Sequence, residues 1–168
     1  MGISKAPGEF IEEMTEPLGW PDIDEDQLHG RATEFIALVS KLISVLEDWQ
    51  RHHAEIFRGG VWSGGAANVG SSAVQDRVNE MVSLYSHLEK AVAWYTEGAR
   101  LKKQTKVTVN QNLEAAQEYF SSVRNTPGLD AEQKEAVIRA WVAGQSAINT
   151  AVVASAMAQM TPFATFVP

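Results

Sequence analysis

Phe57-Arg58-Gly59-Gly60-Val61-Trp62-Ser63-Gly64-Gly65-Ala66-Ala67-Asn68 decides how this chain is read. Paired glycines stop a helix arriving from the N-terminal side, and Ser63 is a candidate N-cap for the next one. A tryptophan between glycines carries a large apolar ring into what would otherwise be a simple loop. The stretch predicts the reversal of a helical hairpin.

Upstream, Asp24 reads as an N-cap with Gln27 as its capping-box partner, and Glu25 and Asp26 suit the positive end of a helix dipole. Leu28, Phe35, Leu38, Leu42, Val45, Trp49 and Ile56 follow at helical spacing, with Arg31 and His52 as polar positions in the seam. The spacing predicts a helix over 24–57, roughly 50 Å long.

Downstream, the seam Val74, Val78, Met81, Tyr85, Leu88, Val92, Tyr95, Ala99, Lys102, Lys106, Val109, Leu113, Ala116, Phe120, Val123 alternates steps of four and three. That is the pattern of close helix pairing, and it predicts a second helix over 65–124. Asn125-Thr126-Pro127-Gly128 ends it. Asp130 with Gln133 then opens a third helix over 130–160, with Val137, Trp141, Gly144, Ile148, Ala151 and Ser155 as its packing face and Pro162 as its stop.

The expected fold is all-α: an elongated antiparallel helical bundle, made of a long hairpin and a third, C-terminal helix. Residues 1–23 read as an irregular acidic segment in which Glu9–Thr15 could turn once into helix, 24–161 as the bundle, and 162–168 as a tail.

The 168 residues carry a net charge of −7, unevenly placed. Residues 1–26 hold eight acids against Lys5 alone, and the remainder balances at 13 acids and 13 bases. A hairpin centred near residue 61 pairs position i with about 122 − i. Asp22, Asp24, Glu25 and Asp26 then fall beside Arg100, Lys102, Lys103 and Lys106, an electrostatic clamp on the N-terminal segment. Lys102 and Lys106 would lie where the first helix runs out and need no burial.

The chain has no cysteine, so disulfides and thiolate metal sites are excluded and the compartment is left open. No basic footprint for nucleic acid dominates. The N-terminus lacks a basic and apolar leader. Residues 140–168 are uncharged, but polar residues and Pro162 interrupt them, so no membrane span is expected. His52 and His53 are adjacent and diverge by about 100° on a helix, so they cannot converge on one ion. The glycine turn lacks the lysine and hydroxyl of a phosphate loop. No metal, cofactor or catalytic constellation is expected, and the reading is a non-enzyme.

Helix, Trp-x-Gly turn, helix resembles the WXG and PE/PPE proteins of type VII (ESX) secretion systems of mycobacteria and their relatives. The block from Phe57 to Asn68, with Pro17-Leu18-Gly19-Trp20, Asp24-Glu25-Asp26 and Leu129-Asp130-Ala131-Glu132, is similar to the N-terminal domain of the EspK-like secretion-associated proteins. The resemblance covers nearly the whole chain. Proteins of that kind continue into a proline-rich linker and a second domain, so this chain corresponds to a first domain or to a stand-alone relative.

The resemblance implies action by protein binding. The partners would be secretion-system proteins: a cognate helical substrate, a chaperone or a secretion ATPase. It implies a cytoplasmic protein exported without a cleaved signal peptide, then secreted or held at the cell envelope. It marks Trp62 and Gly64, with Gly59, Gly60 and Gly65 around them, as a binding and export motif. Its second element, Tyr-x-x-x-Asp/Glu, is spelled by Tyr85 and Glu89, but mid-seam; the family places it at the far end of the second helix or on the partner. Tyr85 as a core residue stands beside that reading. The alternative function is a structural homo-oligomer joined through the uncharged third helix.

Overall fold

A computed structural model describes residues 2–164, with side chains to Thr161. It is an all-α helical bundle. The elements are α1 (Ile11–Thr15), α2 (Glu25–His53), a π-helical turn (Ala54–Arg58), α3 (Gly65–Asn125) and α4 (Ala131–Ala164). Two compact units emerge among the described residues, and α2 and α3 contribute to both: residues 2–28 with 97–164, and residues 29–96.

The caps follow from the sequence with two exceptions, the capping-box role expected of Gln27 toward Asp24 and the cap expected of Ser63. The Asp24 carboxylate accepts the Asp26 backbone N–H at 2.9 Å. Asp130 and Gln133 exchange side-chain-to-backbone bonds of 2.8 and 3.0 Å, a complete capping box. Ser63, however, is not the residue before α3. That residue is Gly64, at φ 95°, whose carbonyl accepts the Asn68 N–H at 3.1 Å. A positive φ favours glycine over serine there. Nor does Pro162 end α4, which runs to Ala164. Proline forfeits its own N–H bond, but helical backbone can continue for part of a turn beyond it.

In the first unit, α3 and α4 meet along Val109, Leu113, Ala116, Phe120 and Val123 on one side and Ile138 and Val142 on the other. The third wall is the N-terminal segment. Met14 of α1 is fully buried among these residues, and Ala6, Phe10, Ile11 and Trp20 pack against them. The Phe10 ring meets Phe120 edge-on at 5.6 Å. The N-terminal segment thus carries the short helix allowed within Glu9–Thr15, and, where only an irregular segment was expected, part of the core.

The face of α4 is also rotated from expectation. Ile138, Val142, Asn149, Val153 and Ala156 point inward, while Val137, Trp141 and Ile148 stay exposed. With no charge after Arg139, nothing in the pattern fixes the helix phase. The inward Asn149 is satisfied by the Met14 carbonyl at 3.1 Å and by Asn112 at 2.9 Å, so its burial is not penalised as an orphaned amide would be.

In the second unit, α2 lies against α3. Phe35 stacks on Tyr95 at 5.4 Å, and His53 bonds the Ser71 hydroxyl at 2.8 Å. These pairs sit farther from the turn along α3 than 122 − i predicts. Side chains on both helices lean toward their own N-termini, so α2 side chains reach away from the turn and α3 side chains reach toward it. The α3 seam is half-buried or buried throughout the unit. The α2 seam is the expected one only in part: Phe35 and Leu42 turn inward, but Leu38, Val45, Trp49 and Ile56 are between 41% and 48% exposed. Ala32, Val39, Leu46 and His53 complete the inward face. α2 is apolar on more than one side, and only one stripe can face α3.

Met14→Ala should cost about 2–5 kcal/mol, because it empties a fully enclosed site. Urea unfolding checks this; a cost below 1 kcal/mol would mean that α1 is not a wall of the core.

Candidate functional site

The tip is built by a tight exit from α2. The Gly59 N–H bonds Ala54 O at 3.1 Å, closing the π-helical turn, and the Trp62 N–H bonds Ile56 O at 3.2 Å. A Cβ on Gly59 would come within 2.5 Å of Glu55 O, and Gly60 has φ 76°. Both positions therefore need glycine.

The Trp62 ring packs against Phe57 at 5.4 Å and lies over Gly70, where a Cβ would come within 2.9 Å of it. It still shows 42% of its surface, and Val61 beside it shows 80%. Trp62 thus closes the end of the α2–α3 pair and also presents a face to solvent. Gly65 opens α3.

Tyr85 and Glu89 sit one turn apart on α3, and the Tyr85 hydroxyl donates to the Glu89 carboxylate at 2.5 Å. That bond holds the phenol above its ordinary pKa, helped by partial burial and the carboxylate charge. Tyr85 lies twenty residues into α3, about 30 Å along the helix from its start. It does not share a surface with Trp62.

The clamp is narrower and deeper than the charge pattern suggested. Lys106 and Glu25 pair at 2.7 Å, each with 6% of its side chain exposed. Lys106 was expected to need no burial; it is covered because the N-terminal segment wraps it. The Ile3 N–H donates to the other Glu25 oxygen at 2.5 Å, and the Trp20 ring lies 5.7 Å from the ammonium. Burial pushes the Glu25 carboxyl up, but the bonds from Lys106 and from the backbone outweigh it, and its pKa is lowered. Lys102 is lowered by burial first and by the Lys106 charge second, with Asp22 opposing. Asp24 is occupied as the helix cap. Asp26 and Lys103 lie on exposed surface. Arg100 turns back to Glu97 and Gln104 on its own helix.

The charge pattern did not disclose the other ties of the N-terminal segment. Arg124 grips the Glu9 carboxylate with two bonds of 2.6 and 2.5 Å, and Arg139 reaches Glu13 at 3.2 Å. Arg124 lies eighteen residues beyond Lys106, outside any register set from α2 alone.

His52 bonds the Asp48 carbonyl and His53 the Ser71 hydroxyl, so the adjacent imidazoles part. Among the described residues no group of three or more His, Asp or Glu side chains could hold a metal ion, and no helix is long and apolar enough to cross a membrane.

The class defined by this fold and tip is an all-helical protein whose Trp-x-Gly turn joins two long helices. Over 154 residues, 92% of its length, the chain is 30% identical to the ESX-1 secretion-associated protein EspK of Mycobacterium tuberculosis (strain CDC 1551 / Oshkosh). It is EspK-like over nearly its whole extent, and it spans 21% of that relative's length. No family model matches the chain, and no solved structure matches it.

Glu25→Ala should destabilise the first unit by on the order of 3 kcal/mol, because it leaves the Lys106 ammonium buried and unpaired. Thermal melts would show it. Glu9 is also lowered, chiefly by its bonds from Arg124. Both carboxyls are depressed in the folded state, so their contribution is full above the ordinary value of 4.5 and is lost as pH falls below it. Hydrogen exchange at the Ile3 amide should therefore accelerate, beyond the intrinsic pH effect, on acidification below that value. Protection unchanged there would refute the carboxylate latch.

Proposed function

We propose that this chain serves a type VII secretion system as a substrate or an accessory, chaperone-like domain, and that it acts by binding other proteins without catalysis. The similarity to a secretion-associated protein supports the system. One observation carries the mechanism: the 29–96 unit leaves Leu38, Val45, Trp49, Ile56 and Trp62 each at least 41% exposed. A helix pair with that much apolar surface in water suits a partner's helices. Trp62 and Gly64 are the recognition tip, and Tyr85 with Glu89 is a second, separate element. The partner is a cognate helical substrate, a chaperone or the secretion ATPase. The protein is cytoplasmic before export and is then secreted or held at the cell envelope.

In a host carrying the cognate system, Trp62→Ala should lower export or partner retention about tenfold, beyond any loss of folded protein seen in its melting curve, in line with tryptophan hot spots. Trp49→Glu should do the same through the α2 stripe. Export and retention unaffected by both variants would sink the reading.

A second reading rests on α4. Val137, Trp141 and Ile148 are 37–49% exposed and line an open groove of about 390 Å³ with Tyr119. Self-association through this face would give a homo-oligomer. Light scattering should then show mass rising with concentration in the wild type and constant in Trp141→Glu; a strict wild-type monomer excludes it.

A further inference from the structure

Residues 4–9 are held on α3 in an unusual way. Asn110 donates to the Ser4 carbonyl at 2.9 Å and accepts the Ala6 N–H at 2.8 Å. Two turns on, Gln117 accepts the Glu9 N–H at 2.9 Å and donates to the Glu9 carbonyl at 3.0 Å. Another two turns on, Arg124 takes the Glu9 carboxylate in its fork. Each side-chain amide pairs with backbone as a neighbouring strand would.

The spacing fits this use. Seven residues of helix advance about 10.5 Å, and three residues of extended chain advance about 10 Å. Asn110 to Gln117 therefore matches Ala6 to Glu9.

One position reads sequence as well as backbone. A Cβ on Gly8 would overlap the Gln117 side-chain amide. The flexible Gln117 side chain would have to shift, which disturbs its two bonds to Glu9. Arg124 then demands a carboxylate on the next residue. The stripe selects Gly-Glu in a non-helical segment.

The grip is also of a kind that can be released. Ser4, Pro7, Gly8 and Glu9 are exposed, and the Glu9–Arg124 pair lies on the surface. Buried anchors flank this stretch, the Ile3 bond to Glu25 before it and Met14 after it. Between them, apart from Ala6 on the core, residues 4–9 are attached by polar contacts that water can replace.

We propose that the Asn110–Gln117–Arg124 stripe is a peptide-binding site, occupied in cis by residues 4–9, whose ligand in trans is a non-helical Gly-Glu segment of a partner protein. The resident segment competes as a tethered ligand, so a free peptide binds weakly until that segment is loosened. This surface is distinct from the Trp62 tip and does not depend on its role.

The test uses the full chain and a fluorescein-labelled peptide with the sequence of Ile3–Phe10. Against the Glu9→Arg chain, whose own segment is repelled by Arg124, the peptide should bind about tenfold tighter than against wild type. Binding to that chain should be lost on adding Asn110→Ala with Gln117→Ala. A peptide carrying Gly8→Ala should bind about tenfold more weakly, by the loss of charge-independent bonds at Gln117. Should the doubly substituted chain fail to fold, the Gly8→Ala peptide decides alone, since it leaves the protein untouched.

A peptide that binds both chains equally, binds neither, or tolerates Gly8→Ala overturns the proposal. Concentration-dependent wild-type dimers that the peptide dissolves would assign the groove to a second copy and overturn it equally.

Discussion

Two antiparallel helices touch along a single line, and that line cannot enclose a core. Each helix keeps most of its circumference in water, so a third wall is needed before large side chains can be buried. The 97–164 part of this protein obtains that wall from its own N-terminus. Met14 becomes fully buried between α3 and α4, and Phe120, Leu113 and Ile138 close around it. Residues 29–96 have no such wall among the described residues. Their buried apolar positions are small or few, Ala32, Ala67 and Val78, while larger side chains face solvent. One helix, α3, therefore runs through both a finished core and an unfinished one.

The wall is tied down by charge as much as by burial. The eight acids of the first 26 residues are not a solvated tail. Glu25 meets Lys106 out of water, and Glu9 and Glu13 meet Arg124 and Arg139 at the surface. These ties differ in kind. A surface pair contributes little and is screened by salt. The buried pair is costly to break on one side, because the surviving charge stays in a poor solvent. Glu25–Lys106 therefore fixes where the segment docks. The outer pairs and the side-chain amides of Asn110 and Gln117 set how tightly its leading residues follow α3.

The turn at Trp62 obeys the same need for enclosure on a smaller scale. At a hairpin end the chain has few neighbours, so one large ring resting on Phe57 and Gly70 closes it. Glycines at 59 and 60 let the backbone leave α2 tightly enough for the ring to fold back. Because the ring is wider than the space it covers, part of it remains in water. Structural closure and a presented surface are thus properties of one side chain. The EspK similarity extends over most of the chain, so it is not a matter of this turn alone.

The sequence by itself determined the elements. Paired glycines, the caps at Asp24 and Asp130, and the unbroken spacing from Val74 to Val123 are local signals, and local backbone physics enforces them. The α3 seam was legible because its polar flanks leave one stripe to bury. The inward face of α4 was not, and that of α2 was so only at Phe35 and Leu42. Both helices are apolar over more than one stripe, and only contact with a neighbour selects which one turns in. Tertiary structure also decided the fate of the first 23 residues. No local pattern could announce that Met14 would fill a cavity made by residues a hundred positions away. Nor could it show that Asn110 and Gln117 would read the backbone of Ser4 to Glu9. Such contacts have no signature in local sequence, because the groups that satisfy them come from distant parts of the chain.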